Sequence, residues 1–139
     1  MTARVGLIIP SSNRMVEQEM APAFPAGATA HVTRLRMTGA HRLAFEELLP
    51  RIEEAAHALL DARCDVVAFH CTANSMQGGT AGEGEILAAL KRAGARHATT
   101  TITAIARARC ARRTADRAGH AVQRGHHRAR GRIPARGGL

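Results

Sequence analysis

Short apolar runs and longer amphipathic stretches alternate along the first hundred residues. Arg4 to Ile9, read as Arg-Val-Gly-Leu-Ile-Ile, is a near-continuous apolar run ended by Pro10, the pattern of a strand covered on both faces of a parallel sheet. Pro10-Ser11-Ser12-Asn13 follows, a breaker and three residues that cap helices or hold anions. Met15 to Met20 then reads as a short helix, with Glu17 and Glu19 in its first turns and Pro22 and Pro25 behind it. Ala28 to Met37 predicts a second strand of open register, because Val32 lies on one parity and Leu35 and Met37 on the other.

The next element is helical. Leu48, Ile52, Ala55 and Leu59 form one apolar stripe, widened by Leu49, Ala56 and Leu60, with Arg51, Glu53, Glu54 and Asp61 outside it. Pro50 either starts this helix or kinks one begun near Leu43, since it lacks the donor an interior turn needs. Asp65 to Phe69 returns to a strand pattern, which completes a strand, helix, strand unit. Cys71 to Gly79 has no periodicity and reads as a loop. Thr80 and Glu83 have the form of a capping box ahead of a helix with Ile86, Leu87 and Leu90 on its apolar face and Gly94 as its stop. His97 to Thr100 reads as a further short strand, with Thr101 or Thr103 opening a helix through Ile105. The fold class is therefore α/β, a parallel sheet flanked by helices.

Charge changes this picture only toward the end of the chain. Residues 1–94 hold nine basic and ten acidic side chains, whereas residues 95–139 hold eleven arginines against the single Asp116. The later segment has no Lys, Phe, Tyr or Trp and too little aliphatic surface to repay the entropy of ordering it. This predicts two parts, residues 1–106 as a folded lobe and residues 107–139 as a basic, low-complexity, irregular tail. Three cysteines without regular spacing and no signal-like segment point to a reducing, cytoplasmic setting rather than a disulfide scaffold. The apolar runs are too short for a membrane span.

In open parallel sheets, ligands sit beyond the carboxyl ends of the strands. Two loops leave strands in that sense, Pro10-Ser11-Ser12-Asn13 and Cys71-Thr72-Ala73-Asn74-Ser75, and side by side they would form a polar cup containing one thiol. A cysteine there, among hydroxyls and backbone donors, could be held partly as thiolate and act as nucleophile or base. The same donors suit a substrate carboxylate. Position alone leaves Cys71 open between this role and that of a small buried hydrophobe. Cys64, between helix and strand, reads as packing. His70 precedes Cys71, but neighbouring residues in a strand point to opposite faces, which argues against their contact. His120, His126 and His127 have no carboxylate or cysteine at ligand spacing, so no metal site is expected. Gly78, Gly79, Gly82 and Gly84 match no dinucleotide or phosphate fingerprint.

Val5-Gly6-Leu7-Ile8-Ile9-Pro10-Ser11-Ser12-Asn13, then Glu17, Arg34-Leu35-Arg36, and Cys71-Thr72 with Ser75 and Gly78-Gly79 together carry a family resemblance. The chain resembles the amino-terminal lobe of the maleate cis-trans isomerase and arylmalonate decarboxylase group of the aspartate/glutamate/hydantoin racemase superfamily. The resemblance runs from about Arg4 through the threonine-rich stretch Thr99 to Ala104. It implies a cofactor-independent enzyme of two similar lobes, each giving one cysteine position to the cleft between them. It further implies that Cys71 adds to the double bond of maleate, that Ser12, Asn13, Thr72 and Ser75 hold carboxylates, and that the substrate is a small dicarboxylate. Glycine occupies this cysteine position in the decarboxylases, so Cys71 favours an isomerase or racemase.

Two departures carry further expectations. Arg14 and Met15 stand where the group commonly has small threonine-like residues, which bears on specificity. After Ala106 the family pattern gives way to Arg-Cys-Ala-Arg-Arg, as a shifted reading frame in a GC-rich gene would produce, and Cys110 does not replace a second cysteine. A lobe without its partner is expected to expose apolar surface, to self-associate into a homo-oligomer, and to lack half its site. The alternatives are an amino-acid or hydantoin racemase, an arylmalonate decarboxylase-like enzyme, or a nonenzymatic basic protein whose tail makes nonspecific contacts with nucleic acid.

Overall fold

The structure is a computed structural model describing residues 3–37 and 43–104, together with Arg107 and Cys110. The architecture below belongs to the first of two compact units, Met1–Ala104. The basic tail expected over residues 107–139, with its histidines, and the helix end expected at Ile105 lie outside the described residues apart from those two positions.

Four parallel strands form one sheet in the order β2-β1-β3-β4, where β1 is Arg4–Pro10, β2 Thr29–Leu35, β3 Val66–Phe69 and β4 Ala98–Thr100. β1 is central, pairing Leu7 with Val32 on one side and with Ala68 on the other. Helices α1 (Val16–Met20), α2 (Phe45–Asp61), α3 (Thr72–Gln77) and α4 (Gly79–Arg92) make the connections.

Both faces of the sheet are covered, which explains the mixed parity of β2. Leu35 joins Ile8, Val67 and Phe69 in the main core, packed by Leu48, Ile52, Ala56 and Leu59 of α2 and Ile86, Ala89 and Leu90 of α4. Val32 faces the other side, where Leu7, Ile9 and Val16 form a smaller core with Met20 and Phe24. β2 is the edge strand and contributes one buried residue, Leu35, with Val32 half-buried on the other face.

Helix ends decide where the strands restart. α4 stops as expected at Gly94, whose positive φ of 101° accompanies backbone bonds from Gly94 to the Lys91 carbonyl and from Ala95 to the Leu90 carbonyl. α2 ends on the same pair of bonds, Arg63 to Leu60 and Cys64 to Leu59, but places Arg63 at φ 56°. Gly6 lets α2 close on β1: a Cβ there would stand 3.0 Å from a methyl of Leu59 and 3.2 Å from the Cys64 sulfur. Cys64 is buried packing, as its place between helix and strand predicts.

One open alternative is resolved and two local expectations are corrected. α2 begins at Phe45 and carries Pro50 within it, which selects the helix begun near Leu43 over one that starts at Pro50. Residues 72–77 are helical rather than loop, because Cys71 turns the chain with extended φ and ψ and its carbonyl accepts from the Ser75 N–H at 2.9 Å. Thr80 and Glu83 form no capping box: α4 starts at Gly79 without a side-chain cap, and Glu83 is engaged elsewhere. Among the described residues no helix is long and apolar enough to cross a membrane.

Candidate functional site

The strand order reverses direction between β1 and β3, since the chain leaves β1 toward β2 and then returns past it to β3 and β4. A crevice opens at the carboxyl ends of two strands where successive connections depart to opposite sides. The loops after β1 and β3 meet there. Pro10, Ser12, Asn13, His70, Cys71, Thr72 and Ala73 line one open cavity of about 290 Å³. Four of the five residues singled out from the sequence, Ser12, Asn13, Cys71 and Thr72, thus share a wall. Ser75 does not: it is 1% exposed inside α3, and its Oγ is a buried polar atom with no hydrogen-bond partner.

Asn13 caps α1. Its Oδ1 accepts from the backbone N–H groups of Met15 and Val16, each at 3.0 Å. With the amide oxygen so committed, the group Asn13 can present to a ligand is its Nδ2 donor. Arg34, from β2, holds the same loop from below by donating to the Asn13 carbonyl at 2.5 Å and the Ser11 carbonyl at 3.3 Å, while its other nitrogen pairs with Glu17. The Ser11 hydroxyl accepts from the Met37 N–H at 3.3 Å. Arg34 and Glu17 were legible as part of a motif, but nothing in their spacing marks that motif as a brace.

Cys71 sits at the start of α3 and is 6% exposed. Burial pushes its thiol up from the ordinary range, and the backbone N–H groups of Asn74 and Ala73 draw it partly back. The expected thiolate character is therefore opposed by desolvation, and the resting group is a thiol. Its S–H donates to Asn74 Oδ1 at 3.4 Å. His70 lines the same cavity as Cys71.

A third strand end carries one carboxylate held by two threonines. Thr100, fully buried, caps the turn that follows β4 by accepting from the Thr103 N–H at 3.1 Å, and its hydroxyl donates to Glu83. Thr103 donates to the same carboxylate at 2.5 Å. These two hydroxyls hold the Glu83 carboxyl below the usual carboxylate range. A larger concavity of about 430 Å³ lies along β2 and α2, between Arg36 and Ala58, and contains neither loop and no nucleophile.

No protein-family profile matches the chain. A maleate isomerase from Geobacillus stearothermophilus is 32% identical over 76 residues, which is 49% of this chain and 30% of that protein. Among solved structures, a Nocardia farcinica maleate cis-trans isomerase variant bearing a covalently bound succinylcysteine intermediate aligns with a TM-score of 0.59 at 26% identity, covering 74% of this chain and 46% of that one. A Pseudomonas putida maleate isomerase variant with maleate aligns with a TM-score of 0.52 at 29% identity, covering 70% and 44%. Unliganded arylmalonate decarboxylase, at 20% identity and a TM-score of 0.57, shares the fold. The chain spans less than half the length of each of these three solved proteins. In sequence and fold the chain is similar to part of the maleate cis-trans isomerases, and it shares its fold with arylmalonate decarboxylase.

Proposed function

We propose that the chain supplies the thiol wall of a maleate-isomerase-like site, in which Cys71 adds to the double bond of a small dicarboxylate. One observation carries this reading: the cavity at the β1/β3 switch point brings Cys71 together with Ser12, Asn13 and Thr72. A hydroxyl pair and an amide donor suit a carboxylate, and a cysteine beside them suits an electron-poor alkene.

The chemistry balances without an oxidant or reductant. The sulfur bonds to one alkene carbon, the π pair moves to the other, and that carbon takes a proton, giving a thioether with a rotatable single bond. Loss of the same proton and expulsion of sulfur returns an alkene, trans after rotation. The thiol must release its own proton first, and His70 is the titratable side chain lining the cavity beside it. Because the Cys71 thiol is raised, addition is expected to accelerate as pH rises toward that raised value.

The test is covalent capture on the full chain. Incubated with maleate, the Cys71 peptide should gain the mass of one maleic acid, faster in the folded than in the urea-unfolded chain, and Cys71→Ser should remove the adduct. Absence of an adduct, or equal labelling of Cys64 and Cys110, would overturn the reading.

A further inference from the structure

The mechanism above uses Cys71 but leaves the fully buried side chain that touches it unexplained. Asn74 is 0% exposed. Its Nδ2 donates to the Leu43 carbonyl at 3.3 Å and to Gln77 Oε1 at 3.1 Å, and its Oδ1 receives the Cys71 S–H at 3.4 Å. The Leu43 carbonyl can only accept, so the nitrogen of the amide must face it and the oxygen must face the sulfur. The orientation is fixed from outside the site.

We propose that Asn74 is a positioning residue for Cys71, a clamped acceptor that keeps the proton on the sulfur until a ligand enters the cup. An acceptor favours the neutral thiol, because S–H can donate to it whereas a thiolate would confront the partial negative charge of the amide oxygen. The opposing groups are the backbone N–H donors of Ala73 and Asn74, which favour thiolate. Among the described residues lining the cavity with Cys71, His70 is the other titratable group, and Ser12, Asn13, Thr72, Pro10 and Ala73 carry no charge. A resting thiol guarded in this way resists oxidation and stray alkylation. This inference concerns the proton on sulfur and stands on the amide's geometry; only its link to turnover rests on the maleate reading.

The experiment is the pH profile of Cys71 alkylation by iodoacetamide, a neutral reagent, resolved from Cys64 and Cys110 by peptide mass spectrometry. Exposure scales the whole profile, whereas the proton sets its midpoint. Asn74→Ala should lower the midpoint by about one pH unit, raising the reactive fraction near neutrality roughly tenfold. Gln77→Ala, at an exposed position, should lower it by less, because the Leu43 anchor remains. An unchanged or raised midpoint in a folded Asn74→Ala would overturn the proposal. Should that variant fail to fold, the S–H stretching band of the unaltered chain, isolated by subtracting the Cys71→Ser spectrum, decides. A band shifted to the frequency of a hydrogen-bonded thiol supports the clamp, and a band at the free-thiol frequency removes it. Alkylation uses no dicarboxylate, so failure of the maleate capture leaves this result standing, and the reverse.

Discussion

The two loops that meet in the cup are held by different kinds of contact. The loop after β1 is tied by the half-buried Asn13 cap and by exposed polar groups, the Arg34 brace and the Arg34–Glu17 pair, whose side chains are 39% and 40% exposed. The loop after β3 is tied from within the protein, by the bonds of Asn74, which is 0% exposed, and by a Cys71 that is itself part of the core. Exposed contacts compete with water and contribute little each, whereas buried ones leave unsatisfied groups behind when broken. One wall of the cup is therefore easily adjusted, and the wall bearing the nucleophile is fixed.

The largest expected effect falls on the fixed wall. α3 turns into α4 at Gly78, where an added Cβ would lie 2.8 Å from the Gly82 Cα and 3.0 Å from the Phe45 ring. The first of these is backbone, which cannot swing aside, so Gly78→Ala should destabilise by about 2–3 kcal/mol. Chemical unfolding measures it, and a loss below about 0.5 kcal/mol would show that the α3–α4 corner yields and that the wall is not fixed.

A smaller effect belongs to the other wall. Arg34→Ala removes an exposed pair and two bonds to carbonyls, and its stability cost should stay below about 1 kcal/mol. Hydrogen exchange should quicken at Met15 and Val16 while Ser75 and Gln77 keep their protection. Equal acceleration in both segments would erase the distinction between the walls.

That distinction was only half legible in the sequence. Apolar runs announced β1 and β3, the two inner strands of the sheet, and Gly94 announced the end of α4, whereas β2 and β4 are mixed in polarity and left weaker marks. The end of α2 had no such mark, since Arg63 takes a left-handed conformation that its side chain does not advertise. That the loops carrying Ser12, Asn13, Cys71 and Thr72 share one cavity was legible because both loops follow strand ends of a parallel sheet. Asn74 and Glu83 were missed in role because their partners are remote: the Leu43 carbonyl lies in the segment before α2, and Thr100 in β4. A Thr-x-x-Glu spacing describes what a cap could do locally, and a buried threonine across the fold offered Glu83 a better bond.

The smallest effect is the most discriminating. The family resemblance implies that Ser75 holds a carboxylate, yet its hydroxyl is buried in α3 without a partner and away from the cavity lining. A desolvated, unbonded hydroxyl lowers stability, so replacing it with a hydrogen should cost nothing or stabilise by up to about 1 kcal/mol. Ser75→Ala should therefore unfold at the same or higher denaturant concentration, and its rate of maleate addition at Cys71 should match that of the unaltered chain. If addition slows while stability is unchanged, the hydroxyl meets the dicarboxylate after a movement of α3, and the thiol-bearing wall adjusts when occupied. If instead stability falls by more than about 1 kcal/mol, the hydroxyl is bonded in solution and contributes to the rigidity assigned to this wall. Unchanged addition with unchanged or higher stability leaves Ser12, Asn13 and Thr72 as the donors to the substrate, and α3 as a fixed support on which Cys71 is mounted.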